Sequence, residues 1–359
     1  MSFDPAFWAG KRIFLTGHTG FKGGWMTLWL AKLGAHVTGV ALDPPTTPSF
    51  YEVCALNKLL EADLRIDIRD SQALSAAMKT AAPEIVFHLA AQPLVRRSYH
   101  DPIETYQTNV MGTVNLFEAV RATPTVKAVV NVTTDKCYEN REWVWPYREN
   151  EPMGGHDPYS NSKACSELIT ASYRNSFFSR NGVALASGRA GNVIGGGDWA
   201  ADRLLPDVFR AVETGETLVL RFPQATRPWQ HVLEPIYGYL TLAEKLYREG
   251  IEFAEGWNFG PEEADSRSVQ WIVERLISSG LPLRWRHDDG PKVHEAGQLM
   301  LSSAKAKSKL SWHPRWHLAK ALDQTFSWYQ AWRAGSDMSE ASREQIKHFL
   351  TGNADDKAN

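Results

Sequence analysis

Gly17-His18-Thr19-Gly20-Phe21-Lys22-Gly23 stands between an apolar run, Arg12-Ile13-Phe14-Leu15-Thr16, and a stretch at 25–33 whose apolar residues recur at helical spacing. A strand, a glycine turn and a helix in that order restrict the fold more than any other feature of the chain. Glycines at these places permit a tight turn, close backbone approach to a pyrophosphate, and close helix–strand packing. The helix amino terminus then turns free N–H groups and its positive dipole end toward phosphate. Glycine also serves ordinary turns, so the flanking strand and helix are what make this a dinucleotide-binding signature. Gly17, Thr19, Gly20, Phe21 and Gly23 are its candidate cofactor residues.

From Lys11 onward, short β-type runs alternate with helical patterns, which predicts a parallel sheet wrapped by helices. Strands are expected at 36–42, 84–89, 127–133 and 183–189, with helices at 71–80, 103–122 and 158–178. After about residue 190 the elements shorten, with helices near 206–213, 235–248, 269–278 and 317–332 and a strand near 218–222. The expected fold class is α/β, a Rossmann-type doubly wound parallel sheet with a smaller carboxy-terminal substrate-binding domain. Residues 1–190 would form the dinucleotide-binding domain and 191–350 mainly the second, with part of 232–256 able to pack back on the first.

Asp43 closes the second strand about twenty residues past the glycines, where a carboxylate can accept from both ribose hydroxyls. Pro44-Pro45-Thr46-Thr47-Pro48 offers no cation for a 2′-phosphate, which favours NAD over NADP. Asp43 could equally be a turn residue before proline. Asp67-Ile68 follows a third strand, where a carboxylate meets adenine, and Asp70 could cap the next helix.

Tyr159 and Lys163 stand four residues apart after Asp157-Pro158, an expected N-cap and first helical position, so both project from one helix face. A phenol has an unperturbed pKa near 10, and a neighbouring ammonium favours the phenolate that accepts a hydroxyl proton. Such a pair alone is commonly accidental. Downstream of a dinucleotide turn and a strand ending in Thr133-Thr134, catalysis becomes the favoured reading.

These motifs, with Asp67-Ile68, His88-Leu89-Ala90-Ala91-Gln92, Thr108-Asn109-Val110 and Thr133-Thr134-Asp135, resemble the extended short-chain dehydrogenase/reductase family over about residues 11–330. Within it, Thr-Thr-Asp-Lys-Cys-Tyr (133–138), Asn-Arg-Glu-Trp-Val-Trp (140–145), the 189–199 loop and Arg-Pro-Trp-Gln-His-Val (227–232) resemble the nucleotide-sugar 4,6-dehydratases. The resemblance implies NAD as cofactor, held also by Ile68, Leu89, Ala90, Ala91, Asn109, Tyr159 and Lys163. It implies Thr134, Asp135, Lys136, Tyr159 and Lys163 as the catalytic set. Asp135, at a place where a related epimerase usually has no acidic residue, would protonate a departing 6-hydroxyl. Lys136 replaces a glutamate common in such dehydratases, so it would either remove the proton at carbon 5 or stabilise the enolate. That lysine points to CDP-glucose as the favoured nucleotide sugar, within deoxysugar biosynthesis for a surface polysaccharide such as lipopolysaccharide O-antigen.

On the substrate side the resemblance implies Gln92, Asn192, Arg227, Asn258, His294 and Glu295, with Arg227 clamping a diphosphate through its fork of donors. Gln298 and Ser302 differ from the nearest relatives. Trp143, Trp145, Trp199 and Trp229 could wall a sugar pocket or bury a domain interface. A 4-epimerase, a dehydratase for another nucleotide sugar and a catalytically silent NAD-binding regulator are the competing readings. A formal net charge of −2 implies no general attraction to nucleic acid or membrane. Three scattered cysteines, Cys54, Cys137 and Cys165, suit a reducing compartment. No apolar run long enough to span a bilayer occurs. A cytoplasmic homodimer or homotetramer without a metal is expected.

Overall fold

The computed structural model describes residues 3–288, 290 and 297–352. Its centre is a sheet of seven strands: β1 Arg12–Thr16, β2 His36–Ala41, β3 Ala62–Arg65, β4 Ile85–His88, β5 Ala128–Val132, β6 Ala184–Ala190 and β7 Gly256–Phe259. They lie in the order β3-β2-β1-β4-β5-β6-β7, and every pairing is parallel. Each residue of β5 and β6 is buried. Strands buried along their whole length require cover on both faces of the sheet. The order reverses between β1 and β4, which opens a crevice at the carboxyl ends of those strands.

Helix α1, Phe21–Lys32, follows β1 directly and starts four residues before the expected helical stretch, because Gly20 already serves as its N-cap. Asp70 caps α2, Ser71–Ala81, by accepting from the N–H groups of Gln72 and Ala73. The helix expected over 103–122 is interrupted. Pro102–Tyr106 passes through a widened π-turn at Gln107–Met111 before α3, Gly112–Arg121. That turn carries Asn109, and such turns recur at functional sites. Asp157 caps α4, Pro158–Tyr173, with proline in its first turn.

Two segments beyond residue 190 complete the first layer. Helix α5, Leu233–Glu249, packs on β5 and β6. Residues 256–259 form β7, with Asn258 opposite Arg189. Glycines make both approaches possible. A Cβ on Gly256 would meet the Arg189 guanidinium at 2.5 Å, and one on Gly238 would meet the Phe259 ring at 2.4 Å.

The remaining chain forms short pairs outside the sheet, Val193–Ile194 with Gln230–His231, Thr226–Pro228 with Ser266–Ser268, and Thr217–Leu220 with Arg284–His287. Two helices follow, α6 Leu318–Arg333 and α7 Met338–Thr351; the second is absent from the sequence-based expectation. α7 returns to α1, where Phe349 meets Trp29 edge-on at 5.8 Å. Glu234 of α5 accepts from the N–H groups of Arg315 and Trp316 and so fastens this return. Trp199 packs edge-on against Trp328 and Trp332 of α6, and Trp229 is buried with its indole donating to Arg267. Both are packing residues. Among the described residues no helix is long and apolar enough to cross a membrane.

Candidate active site

The glycine turn is built as its spacing demands. Gly17 adopts φ +81°, and a Cβ there would lie 2.7 Å from the Ala90 nitrogen and 2.8 Å from the Leu89 carbonyl carbon. A Cβ on Gly23 would collide with the Gly17 carbonyl oxygen at 2.0 Å. No side chain caps α1, so its first turn faces the crevice without a competing donor or acceptor at Gly20. The Thr19 hydroxyl donates to the Leu42 carbonyl and ties the turn to the end of β2. Phe21 points the other way, toward Gly195.

Asp43 has a side chain 89% exposed, and it accepts from Arg65 at 3.0 Å. Arg65 is a cation that the proline-rich segment did not reveal, because it arrives from β3. It also pairs with Asp63, which holds the buried His18 at 2.8 Å and the Tyr51 hydroxyl. Burial lowers the pKa of His18 although Asp63 pulls it upward. Asp67 is held by the Arg69 side chain and backbone. Ile68 is buried against Gly112.

Along the β4 edge, the N–H groups of Leu89 and Ala90 donate to the Thr16 hydroxyl, and half-buried Ala91 follows. Asn109 accepts from the Gln92 N–H at 2.8 Å and donates to the Gln92 carbonyl and the Ser162 hydroxyl. Its amide therefore clips the β4 loop to α4. Gln92 spends its own amide on Leu94 and Thr105. Its side chain is thereby held to the turn.

Thr134, Asp135, Lys136, Tyr159 and Lys163 come together where β5 ends beside α4. The Thr134 hydroxyl donates to Asp135 Oδ1 at 2.9 Å and accepts from the Lys136 N–H at 3.3 Å. Asp135 is buried, and its Oδ2 has no hydrogen-bond partner among the described residues. Burial pushes its carboxyl up, opposed by Lys136, Thr134 and Arg227. Burial likewise pushes the Tyr159 phenol up to about 12, against the pull of the Thr134 hydroxyl. The Lys163 ammonium donates to the Val132 carbonyl at 3.3 Å, and burial brings it down to about 8 against the pull of Glu167.

Glu167 stands one turn beyond Lys163 and forms a buried ion pair with Arg189 at 2.8 Å. It also accepts from Thr133 and Ser187, while Arg189 donates to Tyr138. The end of β5 is thereby fixed from behind. Asn258 ends this network. It accepts from Tyr138 and donates to the Tyr147 and Ser302 carbonyls, fully buried. Its amide is thus engaged within the protein through both its oxygen and its nitrogen.

Arg227 is buried, donates to the Thr226 and Gly297 carbonyls, and is near enough to Asp135 to lower its pKa. Asn192 is half-buried, and its backbone carbonyl accepts from Gln230. His294 and Glu295 lie outside the described residues. Lys136 opens on a cavity of about 240 Å³ lined also by Tyr138, Asn140, Arg141, His156 and Ser160. Trp143 stacks on Tyr147 next to this lining, while Trp145 is 67% exposed.

Three residues not anticipated from sequence join the site. Lys22 places its ammonium 5.7 Å from the ring centroid of Tyr239. Tyr239 is buried with its hydroxyl unpartnered among the described residues, and Asp135 and Tyr159 both act on it. Arg203 pairs with Asp198 at 2.9 Å and feels the charge of Tyr159. Lys22 was readable in the glycine motif itself, but Tyr239 and Arg203 carry no local signal. Five basic side chains meet here: Lys136, Arg227 and Lys22 interact with Asp135, and Lys163 and Arg203 interact with Lys22, which suits the crevice to an anionic ligand.

The chain matches the profile of the family described as "GDP-mannose 4,6 dehydratase" over residues 14–325. It is 54% identical over 354 residues to CDP-glucose 4,6-dehydratase of Salmonella typhimurium, covering 97% of this chain and 98% of the relative. To dTDP-glucose 4,6-dehydratase of Xanthomonas campestris it is 26% identical, covering 89% and 94%. Among solved structures, dTDP-glucose 4,6-dehydratase of Bacillus anthracis in complex with NAD aligns with a TM-score of 0.74 at 21% identity, covering 92% of this chain and all of the other. UDP-glucose-4-epimerase of Stenotrophomonas with bound NAD aligns at 0.79 and 18% identity, covering 91% and 100%.

Proposed function

The chain belongs to the GDP-mannose 4,6-dehydratase family, within the extended short-chain dehydrogenases, and from that membership we propose that it is a CDP-glucose 4,6-dehydratase with NAD as its cofactor. The observation that carries the reaction type is Asp135, a buried carboxyl with one free oxygen directly after Thr134 and facing Tyr159. An epimerase needs no acid at that place.

The residues present fit NAD. The turn at Gly17 and Gly23 leaves room that any side chain would fill, α1 opens uncapped toward it, and Asp43 presents a carboxylate at the end of β2. When bound, NAD supplies the acceptor of the hydride from carbon 4 of the sugar and returns it to carbon 6.

Tyr159 takes the proton of the 4-hydroxyl as carbon 4 is oxidised to a ketone. The nearby Lys163 ammonium favours the phenolate, and Thr134 holds the 4-oxygen. The ketone acidifies the hydrogen at carbon 5, and Lys136, on the cavity wall, removes that proton or stabilises the enolate. Asp135 gives its proton to the 6-hydroxyl, which leaves as water. After hydride reaches carbon 6 and a proton returns to carbon 5, the sugar has lost one water and NAD is unchanged. Arg227 and Asn192 hold the diphosphate side. The product serves deoxysugar synthesis for a surface polysaccharide in the cytoplasm, and the enzyme works as a homodimer or homotetramer.

The test is an assay with CDP-, dTDP- and UDP-glucose and GDP-mannose. A 4-keto-6-deoxy product, read by its chromophore in base and by mass, is expected from CDP-glucose. Epimerised sugar with no loss of water makes the chain an epimerase. NAD binding without turnover on any of the four makes it a silent binder.

A further inference from the structure

The turn 133–138 carries Thr134, Asp135 and Lys136, and both of its ends reach the same buried ion pair. At the front end the Thr133 hydroxyl donates to Glu167 Oε1. At the rear end the Tyr138 hydroxyl accepts from Arg189 Nη1 at 2.7 Å. Glu167 and Arg189 meet at 2.8 Å, so one pair closes a ring of contacts around the three residues. All four side chains are buried. Burial pushes the Glu167 carboxyl up, but Arg189 and the Thr133 and Ser187 hydroxyls outweigh it and hold its pKa below the ordinary value. Charge-assisted bonds of this kind are short and directional.

The pair also joins two groups of functional residues. Glu167 stands on α4, four residues beyond Lys163 and eight beyond Tyr159, whereas Arg189 stands on β6. Tyr159 and Lys163 have anchors that do not pass through the pair: the Ser98 hydroxyl accepts from the Tyr159 N–H at 3.1 Å, and the Val132 carbonyl from the Lys163 ammonium at 3.3 Å. Asp135 and Lys136 instead lie between the two anchored ends. Their bonds to Thr134 are made within the turn and move with it. Backbone bonds from the Thr133 N–H to Gly188 and from the Gly154 N–H to Cys137 set the chain path near the same two ends.

We propose that the Glu167–Arg189 pair is the positioning device of the elimination step. It sets Asp135 and Lys136 against the sugar that Tyr159 oxidises, so loosening it slows the loss of water and leaves oxidation at carbon 4 nearly intact. This rests on the dehydratase reading above. Neither residue touches the reacting atoms; both act through the turn.

Glu167→Gln strands a buried guanidinium and should destabilise the fold severely, so the test removes one anchor at a time. Thr133→Val deletes the front hydroxyl and Tyr138→Phe the rear one. Ser187→Ala deletes the 2.7 Å bond from β6 to Glu167 and leaves both ends of the turn tied. The NAD-loaded chain is mixed with CDP-glucose in a single turnover, and absorbance at 340 nm is followed per bound NAD, so that only folded protein counts. The rise reads oxidation, and the decay reads the steps from elimination onward. In Thr133→Val and Tyr138→Phe the decay should slow by about 10- to 100-fold while the rise stays within about threefold of the wild type, the size expected when reacting groups are misplaced by up to about 1 Å. Ser187→Ala should keep the wild-type ratio of the two rates, and so should Thr133→Ser, which retains the hydroxyl. A merely structural role would lower Tm without moving that ratio. Equal slowing of rise and decay, an unchanged decay in both anchor variants, or the same slow decay in Ser187→Ala overturns the proposal. A wild type that yields no 6-deoxy product from CDP-glucose overturns the dehydratase reading along with it.

Discussion

The Thr134 hydroxyl donates to Asp135 Oδ1 at 2.9 Å, while Asp135 Oδ2 is buried and unpartnered among the described residues. One oxygen is thus fixed, and the other is buried beside Gly191. Desolvation pushes the pKa of a carboxyl so placed upward, against the pull of Lys136, Thr134 and Arg227.

Asp135→Asn keeps the shape and removes the transferable proton. Oxidation at carbon 4 should survive, while loss of water falls by about 10²–10⁴-fold, the usual range for a positioned acid. Absorbance at 340 nm in a single turnover checks this. Reduced cofactor should accumulate with the sugar nucleotide in the variant and remain transient in the wild type. A variant that dehydrates at the wild-type rate would remove Asp135 from the reaction.

Gly17→Ala tests the turn. The position needs φ +81°, and its new Cβ would press on the Leu89–Ala90 backbone at 2.7–2.8 Å. Left-handed strain and the clash together should destabilise the fold by about 3 kcal/mol or more, with NAD binding lost in whatever folds. Urea unfolding and a nucleotide titration give the two readouts. Unchanged values in both would mean that the turn can relax.

The parts of this molecule written in local pattern were legible beforehand. Strand β1 runs over Arg12–Thr16 as its apolar run indicated, and Tyr159 and Lys163 share the face of α4 that their spacing required. What escaped reading was set by distant chain. Trp257-Asn258-Phe259 looks like any short apolar segment, and it becomes β7 only because β6 offers a free edge and Gly256 admits Arg189. Arg65 reaches Asp43 across neighbouring strands, so no inspection of the Asp43 segment finds it. Gln92 follows a recognisable motif, but whether its amide faces ligand or backbone depends on Thr105 and Leu94. α7 lacks a strongly apolar stripe, and its docking on α1 comes through Phe349.

Lys163 carries an energetic burden that pH exposes. In the folded chain it loses its proton near 8, whereas an unfolded lysine holds it to about 10.5. Between those values the unfolded state binds more protons, so this residue's contribution to stability improves as pH rises from about 8 to 10.5, and the penalty is fully present below 8. Lys163→Met should therefore raise the stability of the nucleotide-free chain at pH 7 by about 1–2 kcal/mol, after allowing for the lost bond to Val132. The gain should shrink toward pH 10, and catalysis should be lost. Melting curves at pH 7 and 9.5 test the sign. A lower Tm at pH 7 would contradict it.

Asn258 and Arg227 were both expected on the substrate side, and the structure separates them. Asn258 joins β7 to Tyr138, Tyr147 and Ser302 with no amide group spare, whereas Arg227 sits close enough to act on Asp135. Removing the Asn258 amide strands two buried carbonyls and a phenol, which should destabilise the chain by about 2–4 kcal/mol. Asn258→Ala should therefore lower Tm while KM for CDP-glucose in the folded fraction changes by less than about twofold, because the lost groups bond within the protein. Arg227→Met should do the reverse, raising KM by about tenfold or more through loss of a charge-assisted clamp. Tm and KM measured on both variants decide between the two placements. A raised KM with an unchanged Tm in Asn258→Ala would return that residue to the pocket.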